Sequence, residues 1–535
     1  MTIKRMSPPD LKAALHDGGE IALLDAREEV AVDRRRLLMT ACAPLGRLEE
    51  LIDGMVPRRG VRTVWCDDGE TDASGLGLAE KAARRMAALG YTDVAVLEGG
   101  VTAWEAAGYR VYAGVHVPSK AFAEVVEHEA GTPYITAEAL KDLIDAKADI
   151  AIYDTRSYEE YHANSIPGAT SVPGAEIVYR YKDLTPSTDT LIVVNCGGRT
   201  RSIIGAQALI NAGVPNRVVS LKNGTQDWHL AGYEVVEGAT RRPPEVSPAG
   251  KAAALEGAER VAKLSGVRTI DRATLKQWQS ESDGRTLYLI DVRTPEEYVA
   301  GHVPGARSVP GGQLVQETDR HMATWGARVV LLDNDGVRAT ITASWLLQMG
   351  WDAVILSNDA AGGATERGPG RPRTLGLEAA KPRLVDPKTL AAWKDSATVV
   401  DLNFSRGYRA GHIPGAWFAL RSRLDADLSE AGPIQRLVFT SPDGVLAKLA
   451  AADFADAAAE TYALDGGTTA WSAAGLPLAK GDERMASLPD DIRLRAREDP
   501  NDVEAAMRAY LSWEIELVNQ MAEDDDHRFK IVVPA

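Results

Sequence analysis

Residues 287–306 read LYLIDVRTPEEYVAGHVPGA, and three other stretches of the chain repeat this pattern. Asp291 and Asp401 lie 110 positions apart, and so do His302 and His412. Internal repeats of this length indicate structural modules that are best considered one at a time. The other copies are TVVDLNFSRGYRAGHIPGA at 398–416, IAIYDTRSYEEYHANSIPGA at 150–169 and the more divergent IALLDAREEVAVDRRRLLMTACAP at 21–44.

A second element, a glycine-containing turn followed by a tryptophan, recurs further along three of these units. It reads VLEGGVTAW, SLKNGTQDW and ALDGGTTAW, ending at Trp104, Trp228 and Trp471. The third unit has ILSNDAAGGATERG at 355–368, which lacks the tryptophan. A chain of 535 residues is too long for one hydrophobic core. Two elements repeated in the same order predict four units of about 100 to 130 residues each.

Short apolar runs alternate with helical patterns inside each unit. In the second unit, IAIYD, TLIVVN and RVVSLKNG are too short for helices and predict buried strands. TAEALKDLIDA has helical spacing after a threonine cap, and SIIGAQALINAG predicts a helix that ends at Gly213. This alternation predicts an α/β fold of four tandem domains, each a mostly parallel sheet flanked by helices on both faces. Ligands of such sheets bind beyond the carboxyl ends of the strands.

The composition excludes several classes of protein. Apolar residues make up 45% and charged residues 25%, and the net charge of -16 argues against nucleic-acid binding. No stretch approaches the length of a membrane span, and the N-terminus lacks the apolar core of a signal peptide. The three cysteines, Cys42, Cys66 and Cys196, are too scattered for a disulfide framework and indicate a reducing compartment. A cytoplasmic protein with no membrane association is therefore expected.

The stretch VVNCGGRTRS at 193–202 is the strongest candidate for chemistry. Its cysteine ends a predicted strand, and a predicted helix begins near Ser202. The two glycines allow backbone amides to turn inward, and the helix N-terminus and two arginines add positive charge. These features are expected to lower the pKa of the thiol and to attract a small anion, whereas the alternative is a buried, inert cysteine. The expected site consists of catalytic Cys196 and of the substrate-binding residues Gly197, Gly198, Arg199, Thr200 and Arg201.

The D-x-R…E-Y…P-G-A element, the cysteine loop and the G-G…A-W element occur in this order. In these features, nearly the whole chain resembles a tandem rhodanese-like sulfurtransferase with four rhodanese domains. The resemblance implies a catalytic cysteine that takes a sulfane sulfur from a donor, holds it as a persulfide and passes it to an acceptor. It also implies that neither a metal nor an organic cofactor is required, because the sulfur itself changes hands.

Loop length and charge bear on the substrate of such a protein. Four residues separate Cys196 from Arg201, as in sulfurtransferases, whereas related phosphatases have five. Two arginines favour thiosulfate, a dianion, as donor, with cyanide or a thiol as acceptor. Arg199 replaces a glycine that many rhodaneses carry there, which leaves 3-mercaptopyruvate open as the donor. A non-catalytic binding scaffold and an arsenate or phosphate enzyme on the same fold are two further hypotheses. The sequence does not indicate an oligomeric state.

The other three units differ at the expected nucleophile position. Aligning the predicted strand ends places Cys66, Asp333 and Ser441 opposite Cys196. Aspartate and serine cannot carry a sulfane sulfur, so the third and fourth units are expected to be inactive. Three acidic residues follow Cys66 and are expected to raise its pKa and repel an anionic donor, with a catalytic Cys66 as the alternative. Cys42 is expected to be a packing residue.

Several recurring residues are expected to be structural. The pairs Asp154/Arg156, Asp25/Arg27 and Asp291/Arg293 occur with and without the nucleophile, which favours an architectural ion pair. His302 and His412 stand in units that lack the cysteine, so neither is expected to be a ligand or a base. The three repeated tryptophans are expected to be core anchors.

The expected domains are 1–115, 130–240, 265–365 and 383–480, of which the second is catalytic, followed by a helical tail at 481–535. Residues 238–250 and 360–376 are rich in proline and glycine and predict linkers, and residues 116–130 are interpreted as a further join. The tail begins as an amphipathic helix and ends in an acidic run. We expect this helix to dock on the rest of the chain, with binding to a partner as the alternative.

Overall fold

The computed structural model describes residues 3–72, 74–357, 366–370, 373–393, 396–428 and 434–534. The chain forms two compact units, each assembled from separate stretches of sequence. The first unit comprises Met1–Ala14, Ile21–Val115 and Pro372–Arg493, and the second comprises Leu15–Glu20, His116–Arg371 and Leu494–Ala535. The first and fourth repeats therefore belong to one unit, and the two central repeats and most of the tail belong to the other.

Each repeat contributes five parallel strands to its sheet, in the spatial order 1-5-4-2-3 when the strands are numbered along the repeat. In the second repeat, Leu191–Asn195 lies at the centre, paired with Ile150–Asp154 on one side and Val218–Leu221 on the other. A central parallel strand is covered on both faces, which explains the continuous apolar run of that sequence. The predicted α/β fold of four tandem repeats is confirmed.

The strands have the following bounds. In the first repeat they are Lys4–Met6, Ile21–Asp25, Ala41–Cys42, Thr63–Cys66 and Val94–Leu97. In the second they are Tyr134–Ile135, Ile150–Asp154, Thr170–Ser171, Leu191–Asn195 and Val218–Leu221. In the third they are Arg268–Ile270, Leu287–Asp291, Arg307–Ser308, Arg328–Leu332 and Asp352–Leu356, with a further short strand at Thr324–Trp325. In the fourth they are Arg383–Val385, Thr398–Asp401, Trp417–Phe418, Arg436–Thr440 and Glu460–Leu464.

The α-helices of the repeats lie between these strands. The first repeat has Pro8–His16, Glu29–Arg34, Leu48–Met55, Leu78–Ala88 and Gly100–Ala106. The second has Ala137–Asp145, Tyr158–Ala163, Glu176–Leu184, Thr200–Asn211 and Gly224–Leu230. The third has Arg272–Ser280, Pro295–Ala300, Gly311–Gln316, Thr318–His321 and Arg338–Gln348. The fourth has Pro387–Trp393, Ser405–Ala410, Leu424–Asp427, Val445–Asp453 and Gly467–Ala473.

The helix ends of the second repeat follow from local sequence. Thr136 caps the helix Ala137–Asp145 by accepting a hydrogen bond from the amide of Ala139, as predicted. The helix Thr200–Asn211 ends as predicted, since Gly213 just beyond it adopts the left-handed conformation with φ of 71°. Its first residue lies two positions before the expected Ser202, so the helix begins closer to the cysteine than the sequence indicates.

The segment 116–130 is a helix rather than a simple join. Val117–Ala130 begins with a proline in its first turn and ends at Gly131, whose φ is 64°. Its residues from Val117 to Val126 are all buried, including charged ones. Interpreting this segment as a connector was therefore wrong: it is an extra helix of the second unit, and we call it the bridging helix.

The two expected linkers have different outcomes. Residues 238–247 contain no helix and no sheet strand, but the stretch 238–250 ends inside a further helix, Pro248–Ser265, which Ser247 caps. In the second linker, residues 360–365 and 371–372 lie outside the described residues, as do 358–359 of the stretch where the third unit lacks its tryptophan.

The C-terminal tail contains a short 3-10 turn at Ala496–Glu498 and a long helix, Val503–Ala522, which we call the tail helix. Asp502 caps this helix by accepting from the amide of Ala505. Its buried apolar residues are Met507, Leu511, Leu517 and Met521. These residues dock the tail helix within the second unit, where it packs on the bridging helix, as the amphipathic pattern predicts. Among the described residues, no helix is long and apolar enough to cross a membrane.

Candidate active site

Cys196 follows the central strand of the second repeat and lies in the loop before the helix Thr200–Asn211. The residue is 2% exposed. Its Sγ donates a hydrogen bond to Ser202 Oγ at 3.5 Å, and that hydroxyl donates to the carbonyl oxygen of Arg199 at 2.8 Å. The backbone amides of Gly198 and Ser202 are also directed at the sulfur. The loop therefore surrounds the sulfur with hydrogen-bonding groups, as expected from its two glycines.

The repeated glycine–tryptophan element packs against the cysteine loop and hydrogen-bonds to its carbonyl groups. Gly224 has φ of 58°, and a Cβ there would lie 2.3 Å from the carbonyl oxygen of Cys196. Only glycine permits both this conformation and this approach. The amides of Thr225 and Gln226 then donate to the carbonyls of Cys196 and Gly197 at 2.9 and 3.2 Å. The second repeated element thus anchors the loop that the first element leads into.

The expected lowering of the pKa of Cys196 is wrong. Burial raises the pKa of the thiol above its usual range, and this effect outweighs Arg201, the hydroxyl of Ser202 and the amides of Ser202 and Gly198, which all lower it. The sequence shows the charges beside the sulfur but not how completely the fold removes it from water. Cys196 is therefore mainly a thiol at neutral pH, and the loop limits the free energy needed to form its thiolate.

We expect alkylation of Cys196 by iodoacetamide to accelerate by about tenfold per pH unit between pH 7 and 8.5, because the thiolate is the reactive form. Cys66 and Cys42 should react more slowly throughout, since burial raises the pKa of each well above its usual value. Thiosulfate should protect Cys196. Peptide mapping over a time course measures all three rates. If the alkylation rate of Cys196 does not change with pH in this range, burial does not raise the pKa of this thiol.

Arg199 is a buried residue that is ion-paired with the bridging helix. Its side chain is 6% exposed, and its guanidinium group donates to both carboxylate oxygens of Glu124 at 2.7 Å. It also donates to Glu127 and to Asn223 Oδ1. Glu124 and Glu127 belong to the bridging helix, so Arg199 fastens that helix to the outside of the cysteine loop. The sequence does not indicate these ion-pair partners, which are distant along the chain, and the role of Arg199 in substrate binding stays a prediction.

Arg201 forms a buried ion pair with Glu160, with distances of 2.6 and 3.0 Å. The third repeat contains the same pair at equivalent places, where Arg338 donates to Glu297 at 2.8 Å. That repeat has no cysteine, so the pair does not depend on sulfur chemistry. Arg201 therefore braces the loop through Glu160. Its positive charge also lies close enough to Cys196 to favour the thiolate.

Strand pairing shows that Cys66 does not occupy the position of Cys196. In the second repeat, the aspartate of the Asp-x-Arg motif pairs across the sheet with Asn195, and Cys196 follows that residue. In the first repeat, the corresponding aspartate pairs with Cys66 itself. Cys66 therefore corresponds to Asn195, and Asp67 corresponds to Cys196. The alignment of predicted strand ends was therefore wrong by one residue in the first repeat, because spacing alone does not give sheet register, whereas its placement of Asp333 and Ser441 opposite Cys196 is confirmed.

The equivalent positions in the other repeats are occupied by oxygen-bearing side chains. Asp67 accepts hydrogen bonds from the amides of Gly69 and Ala79 at 2.9 and 2.8 Å. Asp333 likewise accepts from two amides of its own loop, both at 2.9 Å, and Ser441 accepts from one at 3.3 Å. In these three repeats the side-chain oxygen accepts hydrogen bonds from the backbone amides, whereas in the second repeat the amides surround a thiol.

The recurring Asp-x-Arg pairs are braces, as predicted. Arg156 donates to Asp154 at 2.9 and 2.7 Å and to the carbonyl of Asn164 at 2.5 Å. The first and third repeats repeat this geometry. The predicted structural histidines, His302 and His412, each place Nδ1 within 2.9 Å of the carbonyl of a tyrosine four residues earlier. The predicted core anchors, Trp104, Trp228 and Trp471, are buried and donate to backbone carbonyls.

The tail helix contacts the outer face of the cysteine loop. Glu514 Oε1 accepts from Thr200 Oγ1 at 3.2 Å. A Cβ on Gly198 would lie 3.1 Å from Glu514 Oε2 and 3.2 Å from a ring carbon of Tyr510. Gly198 therefore admits the tail as well as directing an amide at the sulfur. The amphipathic pattern predicts that the tail docks, but nothing in it indicates that the tail docks on this loop.

One group of potential metal ligands occurs in the described part of the chain, and it lies outside this loop. It consists of His16, Asp525 and Asp526. His16 and Asp525 are exposed, and His16 Nε2 already lies 2.9 Å from Asp526 Oδ1. This surface group has no connection with the chemistry of Cys196.

The fold and the site define a class of protein: tandem parallel α/β domains in which a loop after the central strand presents a cysteine to its own backbone amides. The model of the rhodanese-like domain matches residues 7–107, 136–231, 271–362 and 386–474. The chain belongs to the rhodanese-like family.

Among solved structures, the chain is similar to a thiosulfate sulfurtransferase from Pseudomonas aeruginosa, with 46% identity and a TM-score of 0.95 over 99% of this chain and 100% of that one. Curated relatives match single repeats. The HTH-type transcriptional regulator Rv0324 of Mycobacterium tuberculosis is 36% identical over 91 residues, which are 17% of this chain and 39% of the relative. YrkF of Bacillus subtilis is 29% identical over 102 residues, 19% of this chain and 54% of the relative. The chain thus spans about half or less of these curated relatives.

Proposed function

We propose that the chain is a thiosulfate sulfurtransferase in which Cys196 carries the transferred sulfur. The observation that supports this function best is the Cys196 loop: of the four equivalent positions, this one holds a thiol, and loop amides and a helix N-terminus surround it. The similarity over 99% of the chain to a structure described as a thiosulfate sulfurtransferase supports the same assignment.

In the first half-reaction, the Cys196 thiolate attacks the outer sulfur of thiosulfate. A bond forms between Sγ and that sulfur, the bond from that sulfur to the sulfonate sulfur breaks, and its electron pair leaves with sulfite. The proton of the resting thiol passes to the solvent. The product is a persulfide anion on Cys196, and the amides of Gly198 and Ser202 together with the helix N-terminus favour its negative charge.

In the second half-reaction, cyanide or a thiolate attacks the outer sulfur of this persulfide. The new bond forms to the acceptor, the sulfur–sulfur bond breaks, and its electron pair returns to Cys196. The released product is thiocyanate or the persulfide of the acceptor. Sulfur thus changes partners without an external oxidant or reductant.

We assign catalysis to the second domain, 130–240, and non-catalytic roles to the domains at 1–115, 265–365 and 383–480. Asp67, Asp333 and Ser441 support this division, because none of them can form a persulfide. The three free thiols fit a reducing compartment such as the cytoplasm.

Thiosulfate should load one sulfur atom onto the intact protein. We expect desalted protein to gain the mass of a single sulfur, on the peptide that contains Cys196, and to release one equivalent of sulfite. Cyanide should remove the added mass and yield thiocyanate. Intact-mass and peptide mass spectrometry measure each step, with untreated protein as reference. Sulfur on Cys42 or Cys66, or no gain in mass, would contradict the proposal.

A further inference from the structure

The second unit contains a cavity of about 560 Å³ that is lined by the bridging helix and the tail helix. A cavity of this size can hold a small organic molecule. Cys196 does not line it, so the proposed sulfur transfer leaves it without a role. The lining residues that bear on its chemistry are the charged Glu124, Glu127 and Arg199 and the apolar Tyr134, Ile515 and Val518.

The charged part of the lining holds more carboxylate than cation. Glu124 and Glu127 share Arg199, which contacts both of them. Arg199 donates to Oε2 of Glu127, and Oε1 of that carboxylate accepts no hydrogen bond from the described residues. His128, which also lines the cavity, is exposed. Burial raises the pKa of Glu124 to about 7, so this carboxyl group is mostly ionised at pH 8.

The end of the bridging helix adds to the negative potential at the cavity. The helix ends one residue before Gly131, which lines the cavity, and a helix C-terminus carries roughly half a negative charge. Asn519 of the tail helix donates to Glu516 at 3.0 Å, and its side-chain oxygen accepts no hydrogen bond within the described chain. Lys120 of the bridging helix lies over aromatic rings of the tail helix and does not line the cavity.

Large apolar side chains at the cavity remain in contact with water. Tyr134 is 53% exposed and Ile515 is 47% exposed, although both belong to its lining. Lys222, which is not part of the lining, places its Nζ 4.9 Å from the ring centre of Tyr134, so this ring already accepts one ammonium group. An apolar ligand that covers these side chains would remove their surface from water, which favours binding.

We propose that this cavity binds a small organic cation, with its ammonium group at Glu127 and its apolar body against Tyr134 and Ile515. An ammonium group has three donors and no acceptor, which matches the open oxygens of Glu127 and Asn519. The site is independent of the proposed function, because its ligand takes no part in sulfur transfer. Since Arg199 joins the same carboxylates to the cysteine loop, the ligand stabilises the part of the chain that holds this loop.

The test compares hexylammonium, hexanol and hexanoate, three probes of equal length, on the full-length chain at pH 8. Titration followed by ligand-observed NMR measures each Kd. We expect a Kd on the order of 1 mM for hexylammonium and about tenfold weaker binding of hexanol, which lacks the charge. Hexanoate should bind more weakly than hexanol. Equal binding of hexylammonium and hexanol, tightest binding of hexanoate, or no saturable binding of hexylammonium would overturn the inference.

Glu127→Gln tests the position of the ammonium group. Arg199 keeps its pair with Glu124 in this variant, so no buried charge loses its partner. The Kd for hexylammonium should rise about tenfold, and the Kd for hexanol should not change. Glu129→Gln is the matched control, because it removes an exposed carboxylate of the same helix that does not line the cavity. An unchanged Kd in Glu127→Gln, or an equal rise in Glu129→Gln, would contradict a specific site.

A second variant and a local measurement test the position of the apolar body. Ile515→Ser removes an exposed side chain, so the core stays intact, and it should weaken binding of both hexylammonium and hexanol about threefold. Saturating hexylammonium should slow hydrogen exchange in the bridging helix, because a ligand that binds the folded state stabilises it. Unchanged affinity in Ile515→Ser, or slowed exchange only in other parts of the chain, would place the ligand elsewhere and overturn the inference.

Discussion

Replacing Cys196 by serine should lower kcat for sulfur transfer from thiosulfate to cyanide to the uncatalysed background, a loss on the order of 10⁶-fold, as when other covalent nucleophiles are removed. The serine hydroxyl group occupies nearly the same volume as the thiol, but it has no sulfur atom and cannot form a persulfide. The fold should remain intact, because Ser202 and the loop amides can hydrogen-bond to the new hydroxyl. Thiocyanate production in a continuous assay measures the loss.

Cys66→Ala is the matched control for this variant. Cys66 is fully buried in the central strand of the first repeat, where it corresponds to Asn195 rather than to Cys196. Alanine leaves a small cavity and no unsatisfied hydroxyl, so kcat should stay near the wild-type value. Loss of activity in folded Cys66→Ala, together with activity in Cys196→Ser, would contradict the assignment of the reactive cysteine.

Replacing Arg199 by alanine should destabilise the second unit by about 3 kcal/mol, because breaking a buried ion pair leaves an uncompensated charge. Arg199 holds Glu124 through two hydrogen bonds at 2.7 Å and also contacts Glu127. The variant leaves both carboxylates facing the back of the cysteine loop. Since the chain has more than one unit, hydrogen exchange of the bridging helix is the appropriate local measure, supported by urea unfolding.

This destabilisation should depend on pH. Burial raises the pKa of Glu124 to about 7 even though Arg199 lowers it, and removing the arginine raises it further. A raised carboxyl pKa means that the folded state holds its proton more tightly. The free energy of unfolding therefore falls as the pH rises from about 4.3, the pKa of a glutamate in the unfolded chain, to the pKa of Glu124 in the folded chain. Above that pKa it no longer changes through this group. The effect of Arg199→Ala should be small near pH 5 and should grow as the pH rises above about 7, where Glu124 ionises in the wild type but stays protonated in the variant.

Arg199→Ala/Glu124→Gln is the second variant for this prediction. Glutamine removes one buried charge, so the double variant should recover most of the stability at pH 8 and show little pH dependence. An equal loss at pH 5 and pH 8 in the single variant, or no recovery in the double variant, would show that packing rather than charge accounts for the effect.

Regular features of the fold could be predicted because they rest on local chemistry. The apolar run Ile150–Asp154 is too short to form a helix and indicates a buried strand. The helix before it begins at a predictable place, because the side chain of Thr136 caps it. The bridging helix could not be predicted in the same way, because it lies between two repeats and belongs to neither pattern. Its glutamates at 124 and 127 have helical spacing, yet their partner is an arginine 75 positions away from the first of them.

The candidate site was only partly predictable for the same reason. The glycine loop around Cys196 follows from adjacent residues, and so does the position of the sulfur at a helix N-terminus. The pKa of the sulfur does not follow, because it depends on how much of the surrounding chain excludes water. The correspondence of Asp67, rather than Cys66, to Cys196 also depends on strand register, which is a tertiary property.

The four repeats, the parallel α/β class and the identity of the candidate nucleophile follow from the amino-acid order alone, since each depends on short-range periodicity or on residue type. Which charges reach the sulfur depends instead on the folded chain. Arg199 and Arg201 are close to Cys196 in sequence, but each is ion-paired, Arg199 with Glu124 and Arg201 with Glu160, whereas Glu514 comes to the same loop from the far end of the chain. Electrostatic interaction depends on distance through space and on burial, and only the folded chain supplies either.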